Sequence, residues 1–256
     1  MLNQHEDPGA GEVRVIGLPG IPELEEGDDL GQLLADACAR VGGLEHGDVV
    51  VVAQKAVSKA EGRIVRLDEV EPSQRAVELA GEEGDPRQVE VILRESAEVI
   101  RSRPPLVIAR TKHGFVCASA GVDASNAKGP GTVILLPLDP DASAAALRER
   151  LTTLTGIAHG VIVSDSFGRA WRQGTTDVAL GIAGLAALRD LRGSYDATGY
   201  ELRSTMIAVA DEIAGAAELV LGKSTGVPAA IVRGVDAAGE GVGRDLVMPR
   251  ERDLFS

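Results

Sequence analysis

Four consecutive valines at residues 49–52 constrain the fold of this 256-residue chain more than any other feature. A strand with one wet face alternates apolar and polar residues, whereas an unbroken β-branched run predicts a strand buried on both faces. A second β-branched run at residues 161–163 predicts another buried strand. Hydrophobic residues make up 44% of the chain and aromatic residues only 2%, so Val, Leu, Ile and Ala must fill the core.

The composition argues against several classes of function. The formal net charge of −13 disfavours a nucleic-acid partner, because duplex binding depends on clustered Lys and Arg. Cys38 and Cys117 are too few and too far apart for a disulfide framework or a zinc cluster, which favours reduced, buried thiols. No stretch approaches the roughly 18 to 20 apolar residues of a membrane span, and the N-terminus lacks the features of a signal peptide. We therefore expect a cytoplasmic protein without a membrane segment.

Local patterns predict the order of the elements. Residues 1–12 indicate a flexible lead-in, and residues 13–256 a single catalytic unit, with two intertwined subdomains as a variant of that arrangement. The other predictions, in chain order, are a strand from Val13, a helix capped by Asp28 or Asp29, a strand over 48–53, a helical pattern over 72–99, strands over 106–109, 114–118 and 133–138, a helix from Asp141, a buried helix or helix-packing interface over 178–188, a helix from Ser204 or Thr205, and a strand over 229–234.

Residues 161–177 carry the densest set of reactive groups. Asp165 and Ser166 follow the apolar run, and a carboxylate beside a hydroxyl suits a divalent cation. We expect Gly168 to break the strand, and Arg169 and Arg172 beyond it offer fixed positive charge to an anionic ligand. The alternative is a strand and a polar turn, with the arginines paired to surface acids and the tryptophan at 171 in the core.

Three further places combine polar groups with a strand or helix end. Lys55 and Lys59 lie four apart, so on a helix both would project from one side toward an anion, or form a solvated face. Asp123 with Asn126 suits a cation or a ribose and phosphate edge, or an ordinary Asx-turn. The turn at Gly222 suits phosphate, or a helix C-cap.

Acids for a metal with bases for phosphate describe a metal-nucleotide site, which transfers a phosphoryl group or uses it to activate a carboxylate.

Several long motifs occur in one order along the chain. They are GLP at 17–19 with GDDL at 27–30, VSKAEGR at 57–63, AGVDASN at 120–126, LPLDPDAS at 136–143, DSFGRAWR at 165–172 and ADE at 210–212. On these motifs the chain resembles the coenzyme F420-0:gamma-glutamyl ligase family, and especially its actinobacterial form, from about residue 15 to residue 254. The resemblance implies an α+β fold with a mixed sheet that is specific to the family, and a homodimer.

The resemblance also implies a reaction. Members of the family use GTP and Mg²⁺ or Mn²⁺, with K⁺ as a further candidate cation, to join L-glutamate to coenzyme F420-0, and further glutamates can follow through gamma linkages. GTP phosphorylates the terminal carboxylate of the precursor, and the amine of glutamate then attacks the acyl phosphate. The phosphate is needed because a carboxylate alone has no adequate leaving group. The metal would neutralise charge that develops between the phosphates.

Carried over position by position, the resemblance implies roles for single residues. Asp123, Asp165 and Ser166 are expected to bind metal, and Lys59, Arg169 and Asp165 to act in catalysis. The residues expected to contact the nucleotide are Leu18, Pro19, Gly20, Ile21, Gln54, Lys59, Asn126, Leu221, Gly222, Lys223, Ser224, Thr225, Gly226, Val227 and Pro228.

The chain departs from the family pattern at a few positions. Ser166 replaces a common Thr, and Ala53 or Gln54 stands where Ser or Thr is usual, which weakens one nucleotide contact. Thr175 replaces a Gln, and Lys223 stands where some members place a metal-binding Gln; a charged lysine cannot ligate a metal but can contact phosphate.

Two other readings of the site stay open. One is a metal-nucleotide enzyme that acts on a different carboxylic acid, and the other is a non-catalytic relative that binds nucleotide or coenzyme. Some actinobacterial relatives continue into a flavin-binding, nitroreductase-like domain, which we do not expect in this ligase domain.

Overall fold

The computed structural model describes residues 11–254, so nearly all of the expected lead-in lies outside the described residues, and the single unit over 13–256 stays a prediction. The α-helices of this part are α1 (Leu30–Arg40), α2 (Gln54–Ala60), α3 (Gln74–Ala80), α4 (Pro86–Glu95), α5 (Pro140–Thr155) and α6 (Val209–Leu221). The strands are β1 (Arg14–Gly17), β2 (Val49–Ala53), β3 (Ile64–Arg66), β4 (Ser96–Arg103), β5 (Leu106–Thr111), β6 (Val116–Ala118), β7 (Thr132–Ile134), β8 (Gly160–Arg169), β9 (Arg172–Ala183), β10 (Arg189–Asp190), β11 (Met206–Ile207) and β12 (Ala229–Arg233).

A mixed five-stranded sheet forms the centre of the fold, in the order β1-β12-β2-β8-β9. Only β2 and β8 run parallel, and the other neighbours are antiparallel. Two parallel strands cannot be joined by a tight turn, so all the chain between them, including a second group of strands, is a crossover connection. The predicted α+β class with a mixed sheet is confirmed.

The valine run at 49–52 sits in the middle of this sheet and is buried on both faces, as predicted. Val50 and Val52 pack on the side that α1 and α5 cover. Val49 and Val51 pack on the opposite side, against α6. This division follows from the strand geometry, since successive side chains point to opposite faces. The strand therefore joins two hydrophobic cores, which fixes its end relative to the helices on both sides.

Capping residues set where the helices begin. The carboxylate of Asp29 accepts a hydrogen bond from the backbone N–H of Gln32 at 3.0 Å, which confirms it as a cap of α1. Asp139 caps α5 in the same way, through the N–H of Ala142 at 3.0 Å. Helix α5 therefore begins at Pro140, one residue before the predicted start. Proline is favoured at this first position of a helix.

A second unit of structure surrounds a three-stranded sheet of order β4-β5-β6, packed against α3 and α4 over a third hydrophobic core. Strands β5 and β6 confirm the predicted pair at 106–109 and 114–118. The helical prediction over 72–99 was wrong at its end, because the chain turns from helix into strand at Ser96 and pairs with β5. The predicted strand over 133–138 is shorter, ending at Ile134.

Strands β8 and β9 form a long antiparallel hairpin, and here three expectations were wrong. Gly168 does not break the strand, which pairs on to Arg169. The apolar segment over 178–188 is strand up to Ala183 rather than helix, because its pairing with β8 outweighs local preference. Trp171, placed in the core by the alternative reading of this stretch, lies at the turn with 83% of its surface exposed.

Helix α6 begins at Val209, four to five residues after the predicted start, because Met206 and Ile207 form a short strand with β10 instead. The helix packs its apolar face on β9, β12 and β1. The final strand, predicted over 229–234, is confirmed as β12. Among residues 11–254, no helix combines the length and the apolar character that a bilayer crossing needs.

Candidate active site

A cavity of about 700 Å³ opens where β2 and β8 end. Because these two strands are parallel neighbours, their carboxyl ends meet at one edge of the sheet, the position at which open α/β sheets commonly bind ligands. The cavity is lined by residues 21–24 before α1, the end of β2 with the start of α2, residues within 117–126, residues 164–168 of β8, and the end of α6 with the turn after it; Gln88 of α4 and Asp177 of β9 also line it. The sequence-predicted groups at all four strand and helix ends therefore come together.

Asp165 and Ser166 line the cavity from β8, as their position after the apolar run predicted. Burial raises the pKa of Asp165 to about 7, and the carboxylates of Asp177 and Asp123 add to this effect, against the opposing influence of the Ser166 N–H and of Lys55. The cavity thus carries negative charge that its own residues do not fully compensate. A bound cation would relieve it by favouring the ionised carboxylate.

Asp123 reaches the cavity from the connection between β6 and β7, where it forms an Asx-turn. Its carboxylate accepts the Ser125 N–H at 2.7 Å and the Ser125 hydroxyl at 2.9 Å, and pairs with the Lys55 ammonium at 2.6 Å. Burial opposes ionisation of Asp123, but these hydrogen bonds outweigh burial and hold its pKa below the usual value. The turn interpretation is confirmed, and it leaves the carboxylate at the cavity wall beside Asn126.

The two lysines of α2 face the cavity together, as their spacing predicted. Lys59 is almost buried, and its ammonium contacts the Glu23 carboxylate at 2.5 Å. Lys55 also contacts the Ser125 hydroxyl at 2.6 Å. The solvated-face alternative was therefore wrong. Each ammonium is held by a carboxylate that also lines the cavity, so an anionic ligand would compete with Glu23 and Asp123 for these cations.

Gln54 begins α2 and is 1% exposed. Its Oε1 accepts a hydrogen bond from the Ser58 hydroxyl at 2.9 Å, whereas its buried Nε2 has no hydrogen-bond partner among residues 11–254. A buried donor without a partner costs folding free energy, unless a ligand or water completes it. Because Gln54 lines the cavity, its amide is placed to donate to a ligand.

The segment 221–228 is a helix end that also lines the cavity. Gly222 closes α6 with a positive φ of 57°, and the Thr225 hydroxyl donates to the Leu221 carbonyl. The C-cap interpretation is thus confirmed, and it coexists with a place at the cavity. Of the residues predicted here, Ser224 and Thr225 do not line the cavity, whereas these do: Leu221, Gly222, Lys223, Gly226, Val227 and Pro228.

The predicted nucleotide segment 18–21 meets the cavity only at its end. Leu18 is fully buried, with its N–H bonded to the Ala229 carbonyl, and Pro19 and Gly20 lie outside the lining. Ile21 lines the cavity, and residues 22–24 continue the wall. The buried start of this loop anchors it to β12, so the part that reaches the ligand space comes about three residues later than expected.

The position of Arg169 differs from the one that we expected for a catalytic residue. Its guanidinium donates to the Gln173 carbonyl at 3.2 Å within the exposed end of the hairpin, and neither Arg169 nor Thr175 lines the cavity. The pairing of β8 on to its end carries Arg169 past the cavity mouth, a consequence of Gly168 not breaking the strand.

Sequence reasoning missed three acidic residues of this site, Glu23, Asp177 and Glu218. Asp177 stands opposite Ser166 on β9 and accepts the hydroxyls of Ser164 and Ser166, while its N–H donates to Glu218 at 3.0 Å. Asp177 belongs to the stretch that the sequence singled out, but only the pairing register shows that it faces the cavity.

The donor set at this cavity suits Mg²⁺ or Mn²⁺, although it is not a closed cage. Among residues 11–254, no group of three or more His, Cys, Asp or Glu side chains could hold a metal ion alone. Mg²⁺ is commonly held by one or two carboxylates, with water and substrate phosphates completing its coordination. Asp165, Asp123 and the Ser166 hydroxyl are hard oxygen donors at one cavity, so they fit such a shared site.

The fold and this cavity define an α+β enzyme whose ligand space is built from paired acids and lysines. The sequence profile of the family described as F420-0:Gamma-glutamyl ligase matches residues 20–234, and the chain belongs to this family. It is 45% identical over 250 residues to the coenzyme F420:L-glutamate ligase of Methanopyrus kandleri, covering 95% of this chain and 97% of that protein. The proteins of the same name from Archaeoglobus fulgidus and Methanocaldococcus jannaschii are 45% and 42% identical, each over 95% of this chain and 96% of their own.

Proposed function

We propose that this protein is a GTP- and divalent-metal-dependent ligase that adds L-glutamate to coenzyme F420-0, in the biosynthesis of coenzyme F420. The family and its named relatives support the ligase activity and its substrates. The observation that supports the nucleotide and metal is the cavity where the acidic residues Asp123 and Asp165 meet Lys55 and Lys59. Acyl activation by a nucleoside triphosphate needs both kinds of group at one place.

The proposed reaction has two steps. The carboxylate of the precursor attacks the γ-phosphorus of GTP, and GDP leaves. The amine of glutamate then attacks the acyl carbonyl, phosphate leaves, and the amine gives up a proton as the amide forms. The cation, when bound, supplies charge neutralisation at the phosphate oxygens.

The residues of the chain have distinct tasks in this scheme. Lys59 leaves Glu23 to neutralise phosphate, and the buried position of its side chain strengthens that attraction by excluding water. Asp165, Asp123 and Ser166 would hold the cation. The Gln54 Nε2 donates to an acceptor atom of the bound substrates, which satisfies the amide left without a partner.

The quaternary and cellular settings are also part of the proposal. We propose a homodimer in the cytoplasm, where GTP and free glutamate are available, and K⁺ as an additional activating cation. Analytical ultracentrifugation of the purified protein tests the dimer, and activity measured with K⁺ replaced by Na⁺ tests the second cation.

Mass spectrometry of the reaction products tests the function directly. The purified protein is incubated with coenzyme F420-0, L-glutamate, GTP and Mn²⁺ or Mg²⁺, with a chelator in a matched sample. We expect glutamylated product, with one GDP and one phosphate for each amide bond, and no product with chelator; ATP in place of GTP measures nucleotide preference. Nucleotide hydrolysis without glutamylation would favour an enzyme for another carboxylic acid. Binding of GTP without turnover would favour a non-catalytic relative.

A further inference from the structure

The carboxylate of Asp177 is fully engaged by two neighbouring serines. Its Oδ1 accepts the Ser166 hydroxyl at 2.7 Å, and its Oδ2 accepts the Ser164 hydroxyl at 2.9 Å. Asp177 is 6% exposed and Ser164 1% exposed, so water does not replace these contacts. The pair Ser166 and Asp177 stand directly opposite each other in the β8–β9 ladder, which fixes their separation through the backbone.

The hydrogen count of this group determines how Ser166 presents its oxygen. A carboxylate is an acceptor only, whereas each serine hydroxyl has a single hydrogen to donate. Both hydroxyl hydrogens therefore point at Asp177, and the lone pairs of the Ser166 Oγ point elsewhere. Ser166 lines the cavity next to Asp165. The Ser166 Oγ can therefore accept a hydrogen bond or ligate a cation, but it cannot donate a hydrogen bond to a ligand.

We propose that Asp177 is a positioning residue that orients the Ser166 hydroxyl so that its lone pairs face a divalent cation in the cavity. The proposal rests on the cation site of the proposed function and adds a residue that acts through Ser166, since its Oδ1 accepts the Ser166 hydroxyl and its Oδ2 the Ser164 hydroxyl. Partners behind a metal ligand fix its orientation, and their loss typically weakens metal binding by about 10- to 100-fold.

The Asp177→Asn substitution tests this role because asparagine has nearly the same shape but only one acceptor oxygen. Its NH₂ group must face one of the two serines, and an amide that faces Ser164 would keep its oxygen on Ser166. Asp177→Thr, which removes both carboxylate oxygens, is therefore measured beside it. The measurement is the Kd of Mn²⁺, followed by electron paramagnetic resonance, with a non-hydrolysable GTP analogue present. We expect Asp177→Asn to raise this Kd by about tenfold or more. Ser164→Ala, the matched control, leaves the Asp177–Ser166 contact in place and should raise the Kd much less.

A double-mutant cycle separates positioning from a general structural role. If Asp177 acts through Ser166, then Asp177→Asn has no further effect on the Mn²⁺ Kd once Ser166→Ala has removed the hydroxyl. Effects that multiply in the double variant, or a Kd that is unchanged in both Asp177→Asn and Asp177→Thr, would overturn the proposal. Where Asp177→Asn fails to fold, as judged by circular dichroism, Asp177→Thr replaces it, since threonine suits a strand and also lacks the carboxylate.

The same experiment distinguishes failure of the inference from failure of the proposed function. Wild-type protein that binds no Mn²⁺, with or without the nucleotide analogue, would refute the cation site and the positioning role together. Wild-type protein that binds Mn²⁺ while both Asp177 variants bind it equally well would refute only the role of Asp177.

Discussion

The half-buried Asp165 should make the metal-free protein less stable than it would be with a neutral side chain at that position. The pKa of Asp165 stands at about 7 instead of the ordinary 3.8, mainly because of burial. Since a tenfold change in an acid constant is worth about 1.4 kcal/mol, ionising this carboxyl at pH 8 costs the folded state up to about 4 kcal/mol. Penetrating water reduces this cost, so we expect Asp165→Asn to stabilise the metal-free protein by about 2 to 4 kcal/mol at pH 8.

The pH dependence of this gain has a definite sign. Because the folded state holds the Asp165 proton more tightly than the unfolded chain does, the contribution of Asp165 to stability falls as pH rises from about 4 to about 7, and then levels off. Asparagine does not titrate, so the difference between the two proteins should vanish near pH 4 and be complete at pH 8.

Urea unfolding followed by far-UV circular dichroism, with EDTA present, measures this difference at several pH values. Asp123→Asn is the matched control with the opposite expected sign, because hydrogen bonds from Lys55 and Ser125 hold the pKa of Asp123 below its usual value. An Asp165→Asn protein that is less stable than wild type at pH 8, or a gain that is equally large at pH 4, would refute this account. The same variant should have lost its glutamylation activity, as a cation ligand would.

Three further outcomes are expected. Lys59→Ala should raise the apparent constant for nucleotide at least tenfold in a binding titration while its thermal unfolding changes little; an unchanged constant would remove the phosphate contact. Gly181→Ala should lower the free energy of unfolding by about 3 kcal/mol or more, because a Cβ there would come 1.9 Å from a carbonyl oxygen of α5. Gly168→Ala is the control and should be tolerated, because the space around Gly168 is open. Asp48→Ala should cost about 3 to 5 kcal/mol in urea unfolding, because Arg233 binds that buried carboxylate through two hydrogen bonds of 2.8 Å; a loss under 1 kcal/mol would contradict this.

The sequence predicted the strands and the helix that position the site better than it predicted the residues that line the cavity. The valine run and the second β-branched run predicted two buried strands, and the polar residues that follow each of them do meet at one cavity. The helical spacing of Lys55 and Lys59 was also sufficient to place both ammonium groups on one side of α2. These predictions succeeded because they depend on neighbours within a few residues along the chain.

The errors occurred where contacts between residues far apart in the sequence determine the structure. The small apolar residues over 178–188 carry no clear period, and only pairing with β8 makes them a strand. That pairing also brings Asp177 to Ser166, eleven residues away in sequence. Glu23 reaches Lys59 across 36 residues, through a loop that local patterns do not position. No signal in a single sequence reports such contacts.

The charge arrangement explains how a chain with a net charge of −13 could bind a nucleotide. In the protein alone, Lys55 pairs with Asp123 and Lys59 pairs with Glu23, so two of the three lysines that line the cavity are already neutralised. In the proposed complex, phosphate takes the place of Glu23 at Lys59 and of Asp123 at Lys55, and a divalent cation takes the place of Lys55 at Asp123. Glu23, whose side chain is mostly exposed, is left to solvent, so the exchange offsets part of the desolvation cost of the polyanion. Nucleotide and cation should accordingly favour each other's binding by the same factor, since such coupling is reciprocal.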